Sequence, residues 1–152
     1  MADLSPVLTS GEVLKAVRKL EGHDLHINTL AYWAKAGIAT PSVRWDRKRG
    51  RYHGRLYNMA DLARVRLVVR LTRGEARVSM PKARNILTSV EDKLPELLKR
   101  KTKAVLHVDG WRGVIVLRPG HADVELPTGQ TVLPLASVIE GNAETARKVI
   151  AG

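Results

Sequence analysis

The spacing of apolar residues predicts a helix over residues 9–20. Its apolar positions recur at the i, i+4, i+7 spacing that places side chains on one helical face. These positions are Val13, Val17 and Leu20. Either Thr9 or Ser10 is suited to cap the helix, with Glu12 in its first turn. Polar and glycine residues at 22–24 then predict a turn.

A second, shorter helix is predicted over residues 28–36. Apolar and polar residues occupy separate faces of it at helical spacing. The apolar face holds Ile27, Leu30 and Ala34, and the polar face holds Asn28, Tyr32 and Lys35. Gly37 suits the C-terminal end of this helix, and Pro41 follows where a helix cannot easily continue.

Residues 43–57 predict a β-hairpin, with arms over 43–45 and 51–57. Between positions 44 and 55 this hairpin carries six basic residues and one acidic residue, Asp46. The basic residues are Arg44, Arg47, Lys48, Arg49, Arg51 and Arg55. The hairpin is therefore expected to present a concentrated positive charge.

The clearest helical pattern covers residues 58–73 and opens with Asn58 and Asp61 in the spacing of a capping box. Arginines follow an i, i+4, i+7 stripe of their own at Arg66, Arg70 and Arg73. They either extend a binding surface or form an ordinary solvated face. Further helices are predicted from the cap residue Ser79 onward and over residues 91–101, where Pro95 kinks or restarts the helix.

The tail changes character, since segments rich in Val, Leu and Ile alternate there with glycine turns. These segments are 104–109, 113–118, 122–127 and 130–135. They predict a small antiparallel β meander, followed by a short helix from Asn142. The fold class is therefore expected to be α+β. The predicted division is a mainly helical domain with the basic hairpin at 1–90, a connecting helix at 91–103 and a small β-rich domain with a short C-terminal helix at 104–152.

Charge is distributed unequally along the chain. The 152 residues carry 26 Lys+Arg and 15 Asp+Glu, for a formal net charge of +11. Residues 1–87 hold 17 of the basic and 7 of the acidic residues, whereas residues 88–152 hold 9 and 8. Such asymmetry favours a polyanionic partner, because each neutralised phosphate releases a counterion. The basic residues do not line one amphipathic helix, which argues against a lipid surface.

Several features that define other protein classes are absent from the sequence. There is no cysteine, which excludes disulfides, thiolate nucleophiles and zinc fingers. Neither a signal peptide nor a run of about 18 apolar residues is found, so we expect a cytoplasmic protein without a membrane partner. The familiar nucleotide, hydrolase and metalloprotease motifs are missing, and the histidines lack metal-ligand spacing. We therefore expect no enzyme activity, no cofactor and no metal site.

Four stretches resemble the MerR family of winged helix-turn-helix regulators. Residues 9–16 resemble the family's opening helix, and residues 29–41 resemble its second helix and the exit into the wing. Residues 54–71 resemble the return strand of the wing and the third helix, and residues 78–87 resemble the fourth helix. The chain departs from the family at Ala31, where an arginine is usual, in a longer first turn, and in lacking a long dimerisation helix. The resemblance implies a winged helix-turn-helix at the N-terminus.

A winged helix-turn-helix would contact DNA through its second helix and its wing. Residues at the start of a recognition helix reach base edges in the major groove, which predicts that role for His26, Asn28 and Thr29. Tyr32 and Lys35 suit phosphate oxygens, and the resemblance places Tyr32 at a phosphate-contacting position, although a partly buried ring is an alternative. The wing contributes Arg44, Arg47, Lys48, Arg49, Arg51, Tyr52, His53 and Arg55.

The sequence thus predicts a sequence-specific double-stranded DNA-binding protein, acting as a transcriptional regulator and a homodimer. An alternative is a DNA-binding antitoxin or a phage excision or architectural factor, whose residues 104–152 bind a partner protein. RNA binding is less favoured, because aromatic residues that could stack on bases make up only 4% of the chain.

Overall fold

The computed structural model describes residues 6–43, 55–74, 77–100, 102–117 and 131–152. Contacts within the chain group it into two compact units, Met1–Arg66 together with Gly141–Gly152, and Leu67–Glu140. The described part of the first unit is mainly helical, and the second contains a three-stranded antiparallel sheet. The α+β class predicted from the sequence is confirmed.

Helix α1 (Ser10–Glu21) begins with a reciprocal pair of hydrogen bonds at its N-cap. The backbone N–H of Glu12 donates to Thr9 Oγ1 at 3.2 Å, and the backbone N–H of Thr9 donates to Glu12 Oε1 at 2.9 Å. Gly22 ends the helix with a φ of +70°, a conformation that glycine adopts at little cost. The buried face of α1 consists of Val13, Ala16 and Val17.

Three more helices contribute to the first unit. They are α2 (Ile27–Lys35), the part of α3 (Met59–Arg73) up to Arg66, and the C-terminal helix α7 (Asn142–Ala151). Helix α7 packs against α1 and buries Ala146 and Val149. The first unit is therefore assembled from both ends of the chain, although the predicted domains followed sequence order.

Arg66 on α3 is buried, with only 3% of its surface exposed. Its Nη2 lies 2.9 Å from Glu21 Oε2, and its Nη1 donates to Asn142 Oδ1 at 2.7 Å. Both interpretations of the arginine stripe are wrong at this position, because the guanidinium neither faces solvent nor is accessible to a ligand. A buried charge needs partners of this kind, and here they join α1, α3 and α7.

Arg70 also makes contacts within the protein. Its Nη1 donates to Ser137 Oγ at 2.7 Å, inside the second unit. Arg73 at the end of α3 is exposed. The three arginines therefore share a spacing but not an environment.

The second unit contains α4 (Met80–Ser89), α5 (Leu94–Leu97) and α6 (Ala136–Ile139) in addition to the end of α3. Ser79 caps α4 as predicted, and Ala83, Ile86 and Leu87 are buried. The helix predicted over 91–101 is wrong in length, since only α5 forms there. Proline lacks the N–H that a continuous helix needs and clashes with the carbonyl four residues earlier, so Pro95 is tolerated only in a first turn.

The sheet consists of β1 (Ala104–Asp109), β2 (Arg112–Leu117) and β3 (Thr131–Pro134). All pairings are antiparallel, as predicted, and the order is β2-β1-β3. Strand β1 is thus central, whereas a meander followed in chain order would pair β3 with β2. The predicted segment 122–127 lies outside the described residues. Side chains on both faces of β1 are buried, so both faces of the sheet are covered at this strand.

The sheet is held on α4 at a glycine of β2. Gly113 N–H donates to Ser89 Oγ at 2.8 Å. A Cβ atom at Gly113 would lie 2.9 Å from side-chain carbons of Ile86 and Leu106. Glycine therefore allows β2 to approach α4 closely.

Candidate functional site

The first turn of α2 is capped by a histidine whose ring remains exposed. His26 is the N-cap, and its Nδ1 accepts a hydrogen bond from the backbone N–H of Asn28 at 3.0 Å. Because Nδ1 acts as the acceptor, a neutral ring carries its proton on Nε2. The cap therefore leaves a hydrogen-bond donor on the solvent side of the helix start.

The polar face of α2 is open to solvent along its length. Asn28, Tyr32 and Lys35 are all exposed, and Thr29 is half-buried. Tyr32 exposes 57% of its surface, so the ring is not held in the core. Trp33 is the aromatic residue that anchors α2, since only 1% of its surface is exposed.

The chain leaving α2 is fixed by hydrogen bonds to the end of the helix and to α3. Gly37 has a φ of +74°, which turns the chain out of the helix. Ile38 N–H then donates to the Trp33 carbonyl at 2.9 Å. The Ile38 carbonyl accepts from Arg64 Nε on α3 at 2.7 Å. The exposed face of α2 is therefore held at a defined place in the first unit.

The residues that flank the basic segment, residues 44–55, are paired in an antiparallel bridge. Val43 N–H donates to the Leu56 carbonyl at 3.0 Å, and Leu56 N–H donates to the Val43 carbonyl at 2.7 Å. Tyr57 makes the same reciprocal pair with Leu8, both at 2.8 Å. The Val43–Leu56 pair is the described part of the predicted hairpin, and residues 44–54 of that hairpin lie outside the described residues.

A single carboxylate oxygen ties together the chain on both sides of that bridge. Asp61 Oδ2 accepts from Ser42 N–H at 3.0 Å, from Ser42 Oγ at 2.7 Å and from Asn58 N–H at 2.9 Å. Asp61 N–H in turn donates to Asn58 Oδ1 at 2.8 Å, which completes the predicted capping box. Asp61 thus caps α3 and joins both flanks of the basic segment.

We expect Asp61→Ala to lower the free energy of unfolding by about 1–2 kcal/mol, because it removes a helix cap and a shared acceptor. Urea denaturation followed by circular dichroism measures this effect. Asp92→Ala, at an exposed acidic residue of the second unit, is the matched control and should stay close to wild type. Equal stability of the two variants would contradict the role given to Asp61.

The remaining predicted contact residues divide into two groups. Arg55 is described and exposed, directly before the bridge at Leu56. The others fall in the segment that lies outside the described residues. They are Arg44, Arg47, Lys48, Arg49, Arg51, Tyr52 and His53.

Two features of this surface were not predicted from the sequence. Ile27 was grouped with Leu30 and Ala34, yet it exposes 44% of its surface while Leu30 is fully buried. Asp61 was predicted as a cap, but its bonds to Ser42, nineteen positions earlier, were not. Helical spacing places Ile27 only at the edge of the apolar face, which is the one signal that pointed to its exposure.

Membrane-spanning helices and metal-binding clusters are absent from the described ranges of the chain. None of the helices there is long and apolar enough to cross a bilayer. No three histidine, aspartate or glutamate side chains in those ranges are grouped so as to hold a metal ion.

Neither a protein-family model nor a curated protein nor a solved structure matches this chain. The chain's own geometry and charge are therefore the basis for assigning its function.

Proposed function

We propose that this protein is a sequence-specific double-stranded DNA-binding protein, a transcriptional regulator built on a MerR-like winged helix-turn-helix. The observation that carries the proposal is the exposed polar face of α2. A hydrogen-bond donor at His26 and an amide at Asn28 stand at the helix start, followed by a phenol at Tyr32 and an ammonium at Lys35. These groups match base edges at the start and phosphates farther along.

Three physical features support this assignment. A helix of nine residues is short enough to enter a major groove by its N-terminal end. The amide dipoles of α2 add partial positive charge at that same end, which favours an anionic partner. Eight residues separate the end of α2 from the basic segment, and Arg64 and Asp61 link this intervening chain to α3. In this proposal, recognition and electrostatic attraction come from two stretches that are close together in the sequence.

We further propose that the protein acts in the cytoplasm as a homodimer and without a cofactor. A two-fold symmetric protein would match a two-fold symmetric operator, as in other helix-turn-helix proteins. The mass in solution at micromolar concentration tests the dimer independently of DNA binding.

A second candidate is a DNA-binding antitoxin or phage excision or architectural factor whose tail binds another protein. Trp111, at the turn between β1 and β2, favours it because 54% of its surface is exposed. Asn85 Nδ2 on α4 donates to the Trp111 carbonyl at 3.3 Å and holds that turn in place. Exposed tryptophans on a fixed turn are common at protein interfaces.

Selection of duplexes from a random pool by the purified protein tests the main proposal. We expect a defined sequence to be enriched, and its affinity to fall steeply with salt. Five neutralised phosphates would lower the affinity roughly 500-fold between about 50 and 200 mM salt. Failure to enrich any sequence, or an affinity that does not change with salt, would refute sequence-specific DNA binding through a basic surface.

A further inference from the structure

Ile27 is an exposed aliphatic residue at the first position of α2. The residue exposes 44% of its surface, although Leu25 and Leu30 on either side are buried. The core beneath α2 is thus closed without it. Its neighbours are His26, which supplies a ring N–H, and Asn28, which supplies an amide.

Isolated exposed aliphatic residues are common on protein surfaces, so the exposure alone indicates little. The position of Ile27 between two polar groups is the informative feature. In the major groove, the base edges present hydrogen-bond donors and acceptors and one apolar group, the C5 methyl of thymine. An aliphatic side chain among donors and amides is complementary to a groove that contains this methyl.

We propose that Ile27 contacts the C5 methyl of a thymine in the bound duplex and so helps to determine the DNA sequence. This inference rests on the proposed function. The class of ligand it names is a duplex with a thymine in, or next to, the base pair that Asn28 reads. An asparagine amide pairs with the N6 and N7 atoms of adenine, so adenine is expected in the base pair that Asn28 reads.

The residue spacing of the protein backbone and the base-pair spacing of DNA support this arrangement. Consecutive Cα atoms lie about 3.8 Å apart, and successive base pairs lie about 3.4 Å apart. Ile27 and Asn28 are therefore close enough to reach the same base pair or adjacent ones. A methyl group removed from water by an aliphatic side chain contributes about 0.8 kcal/mol, which corresponds to roughly fourfold in affinity.

The test begins with the duplex that the wild-type protein enriches from a random pool. Each thymine is then replaced singly by deoxyuridine, which lacks only the C5 methyl, and the dissociation constant is measured. We expect one replacement to weaken binding about fourfold. Its position should lie within one base pair of the site where Asn28→Ala loses sequence preference.

Two variants complete the design. Ile27→Ala should bind the thymine and uracil duplexes equally, because it lacks the side chain that contacts the methyl. Ile150→Ala is the matched control, since Ile150 is 40% exposed on α7, away from α2 in the sequence. It should retain the fourfold difference. Thermal melting of both variants verifies that they are folded, as expected for exposed positions.

The outcomes separate this inference from the proposed function. If the wild-type protein enriches no sequence, the proposed function fails and the inference fails with it. If a sequence is enriched but no single uracil weakens binding, the inference alone is refuted. The same holds if folded Ile27→Ala still distinguishes thymine from uracil.

Discussion

Arg66→Ala is expected to lower the free energy of unfolding by about 3–5 kcal/mol, the largest stability effect that we anticipate for a single substitution. The Arg66 and Glu21 side chains expose 4% and 6% of their surface. Their atoms Nη2 and Oε2 lie 2.9 Å apart. Removal of the guanidinium leaves the Glu21 carboxylate in a buried site without its cationic partner, which is costly because water cannot replace it.

Urea denaturation of wild type and variant measures this effect. Arg18→Ala is the matched control, since the Arg18–Asp24 pair is also short, at 3.1 Å, but exposes 73% and 80% of its side chains. Exposed ion pairs contribute about 0–1 kcal/mol, so this control should stay near wild type. The double variant Arg66→Ala/Glu21→Ala should recover part of the loss, because no buried carboxylate remains. If Arg66→Ala were as stable as Arg18→Ala, the buried pair would not contribute as argued.

Replacement of Arg47, Lys48, Arg49 and Arg51 together by alanine is expected to weaken binding to every duplex, by roughly 100-fold or more at about 0.1 M salt. Each neutralised phosphate contributes about 0.9 to the slope of log affinity against log salt. The slope should therefore fall by about 3 if three of the four residues contact phosphates. Fluorescence anisotropy over a series of salt concentrations measures both quantities.

The matched control removes the same charge from the second unit. Lys93, Lys99, Arg100 and Lys103 are exposed and lie in or near the segment after α4. Their replacement by alanine lowers the net charge equally but should leave the salt slope nearly unchanged. The sequence enriched from a random pool should be the same for wild type and for both quadruple variants. If the two variants weakened binding alike, total charge rather than the basic segment would explain the affinity.

The buried cluster at Arg66 also links stability to the proposed function. Asn142 at the start of α7 accepts from Arg66 Nη1, and α7 packs on α1. The same unit holds α2, which carries the proposed contact face. The C-terminal helix is therefore part of the framework that supports the candidate site.

Local signals in the sequence were sufficient for most helices. The caps at Thr9, Asn58 and Ser79 depend on residues three positions apart, and the structure contains all three. Helical spacing also placed Leu30 on the apolar face of α2 and Tyr32 on its polar face, and in the structure Leu30 is buried and Tyr32 is exposed. The prediction over 91–101 was wrong in length, since α5 covers only Leu94–Leu97, with Pro95 in its first turn as the predicted restart would place it.

Contacts between distant parts of the chain could not be predicted in this way. The arginine stripe looked uniform, yet Arg66 is buried because Glu21 and Asn142, far away in sequence, meet it. The role of Asp61 as a shared acceptor likewise depends on Ser42, which lies before the basic segment.

The sequence by itself determined the helices, their caps, the concentration of positive charge in the first half and the polar face of α2. These features depend on neighbouring residues and on composition, so they can be recognised without a fold. Only the tertiary structure decided that α7 returns to α1, that β1 is the central strand and that Ile27 lies outside the core. The reason is physical, because burial depends on which distant segments supply the covering atoms and the partners for buried polar groups.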